Sequence, residues 1–233
     1  MYWFDPWYLV YMAPAFLLAM WAQWRVSATY AAASRQPARL SGAAAARHVL
    51  DSAGLRSVRI EQVGGHLSDH YDPRAKVLRL SQDVYGGHTL AAVGIAAHEA
   101  GHAIQDAKHY APLVVRNLAV PAAGFGSKLA MPMLIGGIIF ANMGATGLGQ
   151  MLLLAGIVLF AGVVLFQVVN LPVEFDASAR AKAQLVSLGI VDARDMGPVK
   201  KVLSAAAMTY VAATLQAILT LLYYIMRYAG DRR

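Results

Sequence analysis

Apolar residues fall along this chain in long unbroken blocks near both ends and in mixed, alternating patterns between them. The first block, "PWYLVYMAPAFLLAMWAQW", fills the nineteen uncharged residues between Asp5 and Arg25 and carries tryptophan near each end, where the aromatic belt of a membrane helix sits. No basic start precedes it, and "SATYAAAS" is a weak cleavage-site pattern, so it reads as a retained span over 6–24 rather than a leader peptide. The second block, Leu129 to Val173, holds forty-five uncharged residues. As a helix it would be about 67 Å long, roughly twice a 30 Å hydrocarbon core, which predicts a hairpin of two spans over 129–173. Glycine-rich "NMGATGLGQ" at 142–150 supplies its turn. A last run of twenty-five uncharged residues, Val202 to Met226, predicts a fourth span.

Residues 25–128 carry a different rhythm. "SGAAAARHVLDSAGL" predicts a helix with Ser41 near its cap and Gly54 near its end. "VRIEQV", "HLSDHYD" and "KVLRLS" alternate as short strands, the last two joined through "DPRAK" as a hairpin. "GGHTLAAVGIAAHEAGHAIQDAKH" then predicts a helix bounded by Gly86 and Gly87 before and Pro112 after. Beyond the hairpin, Asn170 and Pro172 look like a new helix start and Gly189 like its stop, so the region 174–201 is expected to hold the helix that carries Glu174. The expected architecture is a mostly α membrane protein of about four spans with a small α+β region.

Composition agrees: 58% of residues are hydrophobic, 14% are charged and the mean hydropathy is +0.47, far from a soluble domain. The net charge of +7 raises the question of nucleic acid, but the basic residues neither form runs nor interleave with aromatics, so a nucleic-acid surface is not expected. Charge instead orients the chain. A central hairpin returns the chain to its starting side, so 25–128 and 174–201 share a compartment, and together they hold 17 of the 20 Lys and Arg. By the positive-inside rule that compartment is the cytoplasm of a multi-pass plasma-membrane protein, although the three arginines of the tail "RYAGDRR" oppose the pattern if the last span crosses fully. With no cysteine, any bound metal must use nitrogen and oxygen ligands.

Such ligands stand in "AAHEAGHAIQ", residues 96–105. Positions four apart on a helix share a face, so His98 and His102 can converge on one ion, and Glu99 falls beside it as a general base rather than a ligand. Two imidazoles and a carboxylate with one open position suit zinc. His-Glu-x-x-His would arise by chance in roughly 0.3% of shuffles of this composition, so the motif weighs more than a helix with solvated polar residues. Small Ala97, Ala100, Gly101 and Ala103 would let a second segment approach. A transporter path is disfavoured, because the apolar "LAAVGIAA" before His98 is too short to cross a bilayer. Of three glutamates, Glu61 lies in a strand pattern and Glu99 is already placed, leaving Glu174 as the third-ligand candidate. Its alternative role is an acidic first-turn residue favoured by the helix dipole.

Over nearly its whole length the chain resembles the YugP family of membrane zinc metallopeptidases, through "GHLSDHYDP", "LSQDVYGG", "AAHEAGHAIQ", "YAPLVVR", "LFQVVNLPVEFDASARA" and "AAMTYVAA" in that order. It is more distantly similar to membrane proteases of the HtpX and CAAX-processing type. The resemblance implies a gluzincin-type, zincin-like site with one Zn²⁺: His98, His102 and Glu174 as ligands and Glu99 as catalytic base. Gluzincins often carry Asp four residues after the third ligand, to orient the first histidine. Here that position is Ser178, and Asp176 is out of register for the same face, which leaves the outer contacts open.

The implied reaction is peptide-bond hydrolysis: Glu99 deprotonates a metal-activated water and returns the proton to the leaving amine. An oxyanion or substrate contact is still needed, and His70, Tyr71 and Tyr210 are the candidates. A second metal at His66 or His70 lacks a matching ligand pattern. Glu174 closely follows the uncharged run, so a site near the bilayer surface is expected, acting on membrane or membrane-proximal proteins, with the hairpin edge taking an extended peptide. The competing class is a membrane protein that holds zinc for structure or regulation and cleaves nothing. Nothing in the sequence speaks to oligomeric state.

Overall fold

The computed structural model describes the backbone of residues 6–230 and the side chains of residues 8–226. Trp7 of the expected belt and the charges of Asp5, Arg227, Arg232 and Arg233 lie outside the described side chains. The chain forms α1 (Pro6–Ala33), α2 (Gly42–Ser52), β1 (Arg59–Val63), β2 (His70–Asp72), β3 (Val77–Ser81), α3 (Gln82–Tyr85), α4 (Leu90–Ala107), α5 (Ala111–Asn142), α6 (Thr146–Ser187), a short 3-10 helix (Ala193–Asp195) and α7 (Met196–Gly230). It divides into a helical unit, residues 1–21, 115–170 and 210–233, and a mixed unit, residues 22–114 and 171–209.

In the mixed unit, local chemistry starts each element. The Ser41 hydroxyl accepts from the Ala44 N–H and opens α2, which buries Ala45, Ala46, Val49 and Leu50 along one stripe. Asp72 closes the hairpin as an Asx turn. Its Oδ1 accepts from the Arg74 and Ala75 N–H groups, and its Oδ2 takes the Arg79 guanidinium at 2.8 Å across the strands. β2 pairs antiparallel with β3, Tyr71 opposite Leu78, while β1 pairs parallel with β3, Ile60 opposite Leu78. The sheet order is therefore β1-β3-β2, which leaves β2 as an edge. Thr89, just after the expected Gly86–Gly87 boundary, caps α4 by accepting from the Ala92 N–H. α4 is buried almost all round, as expected of a helix apolar on every face. Its core partners include Leu50 of α2, Leu78 and Leu80 of β3, Ala181 and Leu185 of α6, and Val199 and Leu203 of α7.

One expectation is corrected here. Asn170 and Pro172 do not start a separate helix, because α6 runs unbroken from Thr146 to Ser187 with Pro172 inside it. A proline forfeits its N–H bond to the carbonyl four residues back and its ring crowds that carbonyl, a local cost that the long helix on both sides outweighs. The stop at Gly189 does form: with φ +64 it lets the Ile190 N–H return to the Leu185 carbonyl at 3.0 Å.

Within the helical unit, α5 and α6 meet through Leu134, Leu153 and Ile157, joined by Tyr224 of α7. Large apolar side chains face outward, Leu118 at 77% exposure and Leu165 at 65% among them, a surface suited to lipid. Among the described residues, three helices are long and apolar enough to cross a membrane: Ala111–Asn142, Thr146–Ser187 and Ala193–Met226. The expected first span is a continuous 28-residue helix, α1, yet it is not among them. Tyrosines, tryptophans, Pro14 and Gln23 lower its apolar character. The expected turn near 142–150 narrows to residues 143–145.

Candidate metal centre

His98, His102 and Gln105 stand at i, i+4 and i+7 on α4, and so line one stripe of that helix. Facing them on α6, Glu174, Ala177, Ser178, Ala181 and Leu185 repeat at the same spacing and are all buried. The two helices approach closely because Gly101 has no side chain: a Cβ there would stand 2.7 Å from the Ala177 carbonyl oxygen. Of the small residues expected to admit a second segment, Gly101 does so at this contact.

The approach brings together residues 76 apart in sequence. His98 Nε2 lies 3.3 Å from Glu174 Oε2, and His102 Nε2 lies 3.6 Å from the same oxygen. The imidazole rings are 4.8 Å apart and nearly perpendicular. The far nitrogens are engaged too: Ser178 Oγ is 3.1 Å from His98 Nδ1, and Gln105 Oε1 is 3.0 Å from His102 Nδ1. Both rings thus turn Nε2 inward toward one carboxylate oxygen. Bonds of about 2.1 Å in a tetrahedral site set neighbouring ligand atoms about 3.4 Å apart, close to both observed separations. Two imidazole nitrogens and a carboxylate oxygen within 4.8 Å of one another therefore fit a zinc-like ion. Among the described residues this is the one such group of three.

Glu99 is buried at 9% exposure beside this group. Burial pushes its carboxyl up to about 7; the His98 charge opposes the rise and the Glu174 carboxylate adds to it. A carboxyl poised near neutrality can both take and return a proton.

The remaining candidates are placed as follows. His70 is exposed on β2, with Nδ1 2.9 Å from the Ser68 carbonyl oxygen, and it acts on the Glu99 carboxyl through charge. Tyr71 donates its hydroxyl to Asp106 Oδ2 at 2.7 Å, and burial pushes its ionisation up. Tyr210 belongs to α7 within the helical unit. Asp176 faces away from His98: its Oδ2 accepts from Gln105 Nε2 at 2.8 Å and from Arg180 Nε at 2.6 Å. Ser178, four residues after Glu174, is the group against His98. His66 pairs with Asp83 at 3.6 Å and packs edge-on against Tyr30. Sequence reasoning missed Gln105, although its place three residues after His102 was a usable signal.

The chain is 42% identical over 217 residues to a protein of Bacillus subtilis (strain 168) named "Putative membrane protease YugP", covering 92% of this chain and 93% of that one. No solved structure matches it. A family model described as "Putative neutral zinc metallopeptidase" matches residues 8–229, and the chain belongs to that family.

Proposed function

We propose that this protein is an integral membrane zinc endopeptidase, with His98, His102 and Glu174 holding one Zn²⁺ and Glu99 serving as general base. The observation that carries the reading is the convergence of three ligand atoms within 4.8 Å of one another, two from the helix that also bears the buried Glu99 and one from α6. Zinc in such a site would supply Lewis acidity, polarising the scissile carbonyl and acidifying water. Glu99 takes the proton of the attacking water and delivers it to the amine leaving group, a two-way duty suited to a carboxyl near neutrality. Ser178 and Gln105 hold the imidazoles with Nε2 inward. His70, exposed and near enough to act on Glu99, serves as the substrate or oxyanion contact, because the Tyr71 hydroxyl is committed to Asp106.

The substrate is an extended segment of a membrane or membrane-proximal protein. Two features support this: β2 is a sheet edge packed against α4, open to strand addition, and Glu174 is the first charged residue after the uncharged run 129–173. Counting 6–24 as a span gives four crossings. By the distribution of Lys and Arg, the zincin-like mixed unit faces the cytoplasm.

The test uses zinc-loaded protein in detergent, an unfolded membrane-tethered substrate, and Glu99→Gln alongside. Cleavage by the wild type, with a variant that keeps zinc and does not cut, is the expected result. Stoichiometric zinc in both with no cutting of a broad substrate panel would replace protease by structural or regulatory zinc binding. Equal cutting of a soluble version of the substrate would remove the membrane-proximal assignment.

A further inference from the structure

Gln105 is wholly buried, and every polar atom of its side chain is used. Its amide nitrogen lies 2.8 Å from the Val173 carbonyl oxygen, which can only accept, and 2.8 Å from Asp176 Oδ2, which also accepts from Arg180 Nε. The nitrogen must therefore face α6, and the amide oxygen must face His102 Nδ1, 3.0 Å away. An amide oxygen only accepts, so the Nδ1 of His102 carries the hydrogen. In the neutral ring its Nε2, 3.6 Å from Glu174 Oε2, then keeps the lone pair that a metal would take.

We propose that Gln105 is a positioning residue for His102: clamped between the Val173 carbonyl and Asp176, its amide selects the imidazole tautomer that offers Nε2 to the metal, and ties that ligand to the helix bearing Glu174. The same contacts explain why an amide stands here rather than the carboxylate that often backs a metal-bound histidine. A carboxylate at 105 would set one acceptor oxygen 2.8 Å from both the Val173 carbonyl oxygen and Asp176 Oδ2, which already takes the Arg180 guanidinium. His98 has a different arrangement, since the Ser178 hydroxyl can rotate to donate or accept and imposes no tautomer by itself. Of the two imidazoles, His102 is the one whose hydrogen is fixed by its surroundings.

The proposal rests on the zinc reading for its purpose, but its first readout needs neither metal nor activity. In metal-free protein labelled with 15N-histidine, NMR at pH 8 is expected to give the Nδ1–H tautomer at His102 in the wild type. In Gln105→Met, similar in size and without either polar contact, the tautomer should become mixed, and zinc affinity by chelator competition should fall about 10–100-fold. Gln105→Glu should also weaken zinc. Gln105→Glu with Asp176→Asn, which restores a donor at position 176 while leaving the new oxygen against the Val173 carbonyl, should keep the Nδ1–H tautomer and bind zinc more tightly than Gln105→Glu alone. If Gln105→Met does not fold, the exchanged pair decides by the same two readouts. An Nε2–H tautomer in the wild type overturns the proposal, as does an unchanged tautomer in Gln105→Met or a mixed one in the exchanged pair. Absence of zinc binding in the wild type with the tautomer result intact would fault the zinc reading instead.

Discussion

Gly101→Ala isolates the contact that assembles the centre, because every proposed ligand stays in place and only one methyl group is added. On helix propensity alone the change should stabilise α4 by about 1 kcal/mol. Tertiary structure reverses the sign. The new Cβ would lie 2.7 Å from the Ala177 carbonyl oxygen, where ordinary contact begins at 3.4 Å. The neighbour is backbone in the middle of α6 and cannot rotate aside, so α4 and α6 must part by about 0.7 Å in a core packed as densely as a crystal. Overpacking of this kind costs about 1–3 kcal/mol, which equals or exceeds the propensity gain. The larger consequence is for metal. Zinc sites tolerate about 0.2 Å in ligand distance, and a 0.7 Å separation moves Glu174 away from both histidines by more than that. Zinc affinity by competition with a chromophoric chelator should fall about 10–100-fold, and the unfolding temperature in detergent should not rise. A Gly101→Ala protein that binds zinc within about threefold of the wild type and melts higher would show that the α4–α6 contact does not set the ligand geometry.

Glu174→Gln keeps size and removes charge, so zinc affinity should fall by more than the about 10–100-fold typical of an outer contact; equilibrium dialysis against zinc would detect it. Ser178→Ala leaves His98 Nδ1 without its 3.1 Å partner and should weaken zinc about tenfold in the same assay, without loss of folding by circular dichroism. The Glu99 carboxyl is raised in the fold from 4.5 to about 7, so the stability it contributes is present below pH 4.5 and lost as pH rises through 7. At about 1.4 kcal/mol per tenfold the loss is about 3 kcal/mol. Metal-free Glu99→Gln should therefore match the wild type in melting temperature near pH 5 and exceed it at pH 8. Parallel melting curves across that range would refute the burial argument. Thr89→Ala removes the cap of α4 and should cost about 1 kcal/mol in chemical denaturation.

What the chain's own order of residues determined is what acts over a few residues. The apolar blocks specified long helices; Ser41 and Gly189 marked a start and a stop, and Asp72 marked the hairpin turn. His98, Glu99 and His102 came onto α4 in one turn because the helical repeat requires it. Local signals misled where only helix length on both sides settles the outcome. Pro172 reads as a boundary, yet sits inside a 42-residue helix. Tertiary structure alone decided the contacts between residues far apart. Arithmetic on three glutamates could nominate Glu174, but packing of α6 against Gly101 is what sets its oxygen 3.3 and 3.6 Å from the two imidazoles. The same packing turned Ser178 toward His98 and Asp176 toward Gln105, two roles that spacing along α6 could not assign, because a side chain's partner on another helix depends on which faces meet. The order β1-β3-β2, with a parallel pair between strands that are not neighbours in sequence, depends likewise on where α2 and α4 cover the sheet. Hydrogen-bond spacing and side-chain period are properties of a single segment, whereas a metal centre is a coincidence of two segments, and only the buried interface between them brings it about.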